Sequence, residues 1–211
     1  MLTPLLALAA VAAPPNILLI HVDDLGWQDT GVPMLAEATP QNTAWRTPNI
    51  EQLAADGAVL TSGYASGPVC TPSRVSLLTG QTPGRHHTTF WTLHQDKDNS
   101  GKHPRLRVPD WNINGLQPSS ANLTELLQDK GYRTIHVGKA HFGAHGTPGS
   151  DPRKLGFEVN IAGHGSGAPS SYLGTHDFSH AGRQNKPGKK RVWDVPGLEA
   201  YHGKDIFLTE A

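Results

Sequence analysis

Apolar positions run without interruption from Ile17 to Ile20, and β-favouring residues continue through Val22. A short continuous apolar run suits a strand buried on both faces of a parallel sheet. Asp23, Asp24 and Gly26 end it abruptly. "TPNIEQLAADG" switches to helical spacing: Thr47 can cap, Pro48 fits the first turn, Ile50, Leu53 and Ala54 share a face, and Gly57 stops it. "AVLTSGY", residues 58–64, predicts a second strand.

A short helix follows Cys70, with Pro72 in its first turn and Gly80 just past its end. Cys70 is expected one residue before the N-cap. "NLTELLQDKG" predicts a third helix, with a capping-box-like start at Asn122 and Glu125, a buried stripe of Leu123, Leu126 and Leu127, and a stop at Gly131. "YRTIHVG" predicts a strand with "KAHFG" at its end. Residues 81–118, and then 143 to about 200, read as irregular, and "DIFLTEA" as the start of another helix. Strand and helix alternate, which predicts an α/β fold with a largely parallel central sheet flanked by helices. No repeat and no boundary between two complete domains is visible.

Composition narrows the function. Lys and Arg total 18 and Asp and Glu total 18, so the net charge is zero and bulk charge gives no support for nucleic-acid or anionic-membrane binding. One cysteine excludes an intrachain disulfide. Residues 2–13, "LTPLLALAAVAA", resemble a signal-peptide core with a small-residue exit, so export to a periplasm or the exterior is expected. The positive n-region is missing, and a truncated or misassigned start is the alternative. The stretch is too short to span a bilayer, and no membrane span is expected elsewhere.

Ligands of such sheets sit beyond the carboxyl ends of the strands. Asp23 with Asp24, Cys70, and Lys139 with His141 all fall at those points. Adjacent carboxylates at a strand end can reach one hard cation, calcium or magnesium, or form a solvated turn. Cys70 at a helix N-terminus meets N–H groups that favour anions, with Arg74 one turn on to hold sulfate or phosphate; a small buried apolar residue is the alternative. In extended backbone Lys139 and His141 share a face, one fixing an anion and the other moving a proton; a solvated loop pair is the alternative.

Four stretches carry a family resemblance. "PNILLIHVDDLGW", "TPNIEQLAADGAVLTSGYA", "CTPSRVSLLTG" and "GYRTIHVGKAHFG" resemble the N-terminal part of type I sulfatases, within the alkaline-phosphatase-like superfamily. C-x-P-S-R is a specific signature, and the similarity covers most of residues 15–165. The resemblance implies that a formylglycine-generating or equivalent enzyme oxidises Cys70 to formylglycine, whose hydrate attacks a sulfate ester and later expels sulfate. It implies calcium, magnesium less so, held by Asp23, Asp24 and modified Cys70. Arg74 would hold the diol, Lys139 the sulfate, and His141 would orient or deprotonate the diol. The expected partner is a sulfated small molecule or glycan.

Two departures qualify this. Ala140 and Phe142 stand where relatives often carry Trp and Leu. Relatives also supply a second Asp-Asn or Asp-His pair, another His and another Lys downstream, and nothing in residues 142–211 matches them. Residues 15–211 are therefore expected to be an incomplete N-terminal catalytic domain, with its C-terminal part missing and little activity by itself. A phosphonate or phosphate monoester hydrolase of the same superfamily, and a non-catalytic sulfated-glycan binder, are the competing readings. His86, His87, His94 and His103 lack zinc-site spacing and read as substrate-facing or solvated. His164, in the Gly/Ser loop 163–174, is a further candidate for substrate contact; "KPGKKR", 186–191, reads as a solvated basic patch; and Asn122 opens a glycosylation sequon that helix capping also explains.

Overall fold

A computed structural model of the chain describes residues 14–97, 103–107, 113–118, 121–178 and 195–208. The apolar leader and the basic patch at 186–191 lie outside them. The chain divides into two units, residues 1–59 and 60–211.

In the first unit the apolar run does not become a strand. Residues 14–22 carry no regular structure, and Ile17, Leu18, Leu19 and Ile20 are 57–86% exposed. A strand covered on both faces needs hydrogen-bonded neighbours. Among the described residues, this unit has none to offer. It holds two helices instead, α1 (Pro40–Ala44) and α2 (Pro48–Asp56). Thr39 and Asn42 close a capping box around α1, and the Asn42 amide also donates to the carbonyls of Thr30 and Val32. At α2 the expected bounds hold, but the cap differs. Thr47 Oγ accepts the Gly31 N–H and donates to Glu51, and does not cap the first turn. The face bearing Ile50 and Leu53 is exposed.

Residues 58–64, expected as a strand, are turn and irregular backbone. The second unit contains α3 (Cys70–Thr79), α4 (Pro83–His86), α5 (Leu123–Gln128), β1 (Ile135–Val137) and β2 (Val159–Ile161). The strands pair in parallel, Ile135 opposite Val159 and Val137 opposite Ile161. Parallel α/β pairing is thus present, while the large central sheet is absent among the described residues. β2 arises in a stretch that the apolar pattern leaves irregular, because three residues are too few to show a period.

Val75 and Leu78 of α3 meet Leu116, Ala140, Phe142 and Leu155 in the main core, with Phe157 packed against it. A second cluster joins Phe178, Val195 and Leu198. α5 is capped as expected: the Asn122 side chain accepts the N–H groups of Thr124 and Glu125. Gly131 follows it at φ +83. The expected leucine stripe is not buried; Leu123 and Leu126 are exposed, and it is Thr124 that turns inward to the Leu155 carbonyl. Of the helix expected over 205–211, residues 205–208 are bend and irregular chain, with Phe207 bridged antiparallel to Leu173, and the rest lies outside the described residues. No described helix is long and apolar enough to cross a membrane.

Candidate active site

α3 begins at Cys70 itself, with Val69 as the N-cap, so the cysteine occupies the first helical position, two positions further into the helix than the sequence suggests. Valine has no group that can cap, so the first-turn N–H groups receive no side-chain cap. Such an end carries partial positive charge and favours anions. Gly80 closes the helix in left-handed conformation at φ 64. Cys70 is half-buried.

Two links tie the start of α3 to Lys139 and His141. The Arg74 guanidinium, 5% exposed, donates from Nη1 to the Lys139 carbonyl at 2.7 Å. Thr71, next to Cys70, accepts the Thr92 N–H at 3.2 Å, and the Thr92 carbonyl accepts His141 Nε2 at 2.6 Å. A carbonyl only accepts, so Nε2 carries hydrogen and Nδ1 is the nitrogen of the neutral ring that takes up a proton. His141 is 2% exposed.

Lys139 and His141 do not sit on extended backbone. His141 has φ +50, which turns the chain sharply after the strand. They still share a neighbour. A methyl group at Gly167 would lie 3.3 Å from His141 Nδ1 and 3.7 Å from Lys139 Nζ. Both polar tips therefore border the same bare stretch of backbone. Ala140 and Phe142, the two positions that depart from the family pattern, are both buried in the core, with Phe142 stacked on Phe157. Gly143 is needed for close approach, since a methyl group on it would lie 2.8 Å from the Gly149 Cα.

Several histidines are structural or border this region. His86 meets Ser76 Oγ at 2.9 Å and is buried, not solvated. Burial holds its pKa below the ordinary value. His87 sits in the left-handed region at φ 62, and His103 accepts the Arg105 N–H. His94 bridges to His145, whose ring lies 6.1 Å from that of His164. His136 packs edge-on against Phe142 and Phe157, and burial lowers its pKa to about 4. His164 is lowered to about 4 by burial, and further by His145 and His141.

Asp23 and Asp24 occupy a turn in the first unit, with Asp24 at φ 56. The turn releases both carboxylates from the opposite-facing pattern of a strand. An all-oxygen pair fits a hard cation in kind, although calcium takes about six to eight oxygens. No group of three or more His, Cys, Asp or Glu that could hold a metal exists among the described residues. Within the second unit, hydrogen bonds connect Arg74 to Lys139, and Thr71, the residue after Cys70, through Thr92 to His141. Thr71, Thr92 and Gly167 escape sequence reasoning. Threonines that act through backbone or hydroxyl groups leave no motif, and only the density of glycine in 163–167 hints at the last.

Comparison with known proteins identifies the family. The sulfatase family profile matches residues 15–182. N-acetylgalactosamine-6-sulfatase of Sus scrofa is 35% identical over 192 residues, covering 91% of this chain and 32% of that protein. Arylsulfatase A of Homo sapiens is 41% identical over 142 residues, 66% of this chain and 24% of that protein. A crystal structure of Ps i-CgsB aligns with TM-score 0.58 at 26% identity, over 87% of this chain and 36% of that one. The same protein was also solved in complex with k-i-k-neocarrahexaose. The chain spans about a third of the length of these curated N-acetylgalactosamine-6-sulfatases and aligns with their N-terminal part. With the family profile matching residues 15–182, well over half of its length, the chain belongs to the sulfatase family.

Proposed function

We propose that the parent protein hydrolyses sulfate esters at the end of α3. The observation that supports this most is the pair of links, Arg74 to Lys139 and Thr71 through Thr92 to His141. They hold a nucleophile position, a fixed cation and a proton-transfer group in one neighbourhood. When Cys70 is oxidised to formylglycine, its hydrate supplies an oxygen nucleophile toward sulfur that the thiol lacks. Lys139 attracts the sulfate, and the α3 N-terminus adds partial positive charge. His141, held through Nε2–H by the Thr92 carbonyl, presents Nδ1 to take a proton. Arg74 fixes the loop that carries Lys139 and adds charge near residue 70. Asp23 and Asp24 would hold part of a calcium shell. The substrate we infer is a sulfated small molecule or glycan, and we expect export.

The test is peptide mass spectrometry on protein purified from its own host, paired with binding of 4-nitrophenyl sulfate and 4-nitrophenyl phosphate. A loss of about 18 Da at Cys70, the change from cysteine to formylglycine, with preference for the sulfate, is expected. An unmodified thiol together with preference for the phosphate would overturn the reading. Two carboxylates leave a cation shell open, so the 211-residue chain alone is expected to turn over little sulfate ester; robust turnover would correct that.

A further inference from the structure

β1 carries its middle residue inward: His136 is 8% exposed, while Ile135 and Val137 on either side of it are exposed. Its ring meets Phe142 edge-on at 5.6 Å and Phe157 at 5.2 Å, and those two rings stack on each other at 6.2 Å. An apolar residue would fill this aromatic niche without the desolvation that a polar ring suffers. Burial holds the His136 pKa at about 4, so the ring is neutral at pH 7, with one N–H and one bare nitrogen. What a histidine adds here is a polar edge.

That edge faces two segments of the candidate active site. The backbone hydrogen bond between His136 and Lys139 raises the pKa of the ring, so the ring donates and the Lys139 carbonyl accepts. Nδ1 makes no hydrogen bond, so the donor is Nε2. The same carbonyl accepts Arg74 Nη1 at 2.7 Å, and its two lone pairs serve both donors. Nδ1 turns toward Gly163, where a methyl group would lie 2.7 Å from it. Asn160 stands opposite His136 in the β1–β2 register. It donates to the Gly163 carbonyl at 2.9 Å and accepts the Gly163 N–H at 3.1 Å, which fixes that glycine beside the ring. From Gly163 the chain runs to the His164 carbonyl, which accepts the His141 N–H at 3.0 Å, and on to Gly167, beside Lys139 Nζ and His141.

We infer that His136 is a positioning residue for the sulfate site: its Nε2–H, together with Arg74, holds the Lys139 backbone, and its other edge sets how closely the segment 163–167 approaches. The inference rests on the reading of Lys139 and His141 as the sulfate-binding pair, and His136 acts through them.

Two substitutions in the whole chain separate this role from packing. Gln places an amide N–H near the position of Nε2 and loses the ring. Phe keeps the ring and loses the donor. Packing alone ranks Phe above Gln, whereas positioning ranks Gln above Phe. His136→Phe should keep or raise the urea midpoint, since an apolar ring replaces a desolvated polar one. It should nevertheless speed amide exchange about tenfold at Gly138 and His141, whose N–H groups bond the Ile161 and His164 carbonyls. It should also weaken inorganic sulfate, followed by NMR at Lys139 and His141, about tenfold, the scale of one hydrogen bond. His136→Gln should restore both towards the wild-type values. A Phe variant with wild-type exchange and affinity, a Phe variant with a lowered midpoint, or a Gln variant no better than Phe would overturn the inference. If inorganic sulfate leaves Lys139 and His141 of the wild-type chain unmoved, the sulfate reading fails instead, and the exchange series still decides what His136 holds.

Discussion

Arg74 joins two parts of the site through a single side chain, since its guanidinium reaches the carbonyl of Lys139, 65 positions away. Lysine cannot reproduce a planar fork with a fixed reach. Arg74→Lys should therefore lower stability by about 1–3 kcal/mol, through loss of a buried charged hydrogen bond. An unchanged urea midpoint would show the link to be incidental. At this scale the sequence was informative about residue types and uninformative about their connections. Cys70, Arg74, Lys139 and His141 stand out as candidates by residue type. That Arg74 would hold backbone, and that His141 would hang from Thr92, was not legible, because carbonyl acceptors are common to every residue.

Local signals were most reliable where the chain satisfies its own termini. Asn122 caps α5 because its carbonyl oxygen is within reach of two N–H groups regardless of what packs nearby. Asn122→Ala should cost about 1 kcal/mol, read as a lower thermal midpoint. An unaltered midpoint would mean that α5 contributes little to the fold. Gly80 and Gly131 were legible for the same local reason. The strands at 17–22 and 58–64 were misjudged because an apolar run states only that burial would be favourable. Whether a strand forms depends on a partner elsewhere in the chain. The leucine face of α5 failed likewise: helical spacing identified a stripe, but the interior contact went to Thr124.

Across the whole molecule, the charge balance hides a pH dependence. His136 and His164 titrate near 6.5 when unfolded and near 4 when folded. Between those values the unfolded chain binds more protons, so stability falls as pH drops. Each contributes on the order of 3 kcal/mol of loss by pH 4, with little further loss from these groups below. Denaturant midpoints at pH 7, 5.5 and 4 should decline in that order; a flat series would contradict the burial of both rings.

The exposed run from Ile17 to Ile20 also governs how the protein behaves as a colloid. With a formal net charge of zero, copies lack the mutual repulsion that keeps apolar patches apart. Light scattering at pH 7 should rise with concentration, with uptake of an apolar dye. Leu18→Glu, at the most exposed position of the run, should suppress both without moving the urea midpoint. If scattering persists in that variant, the sticky surface lies elsewhere.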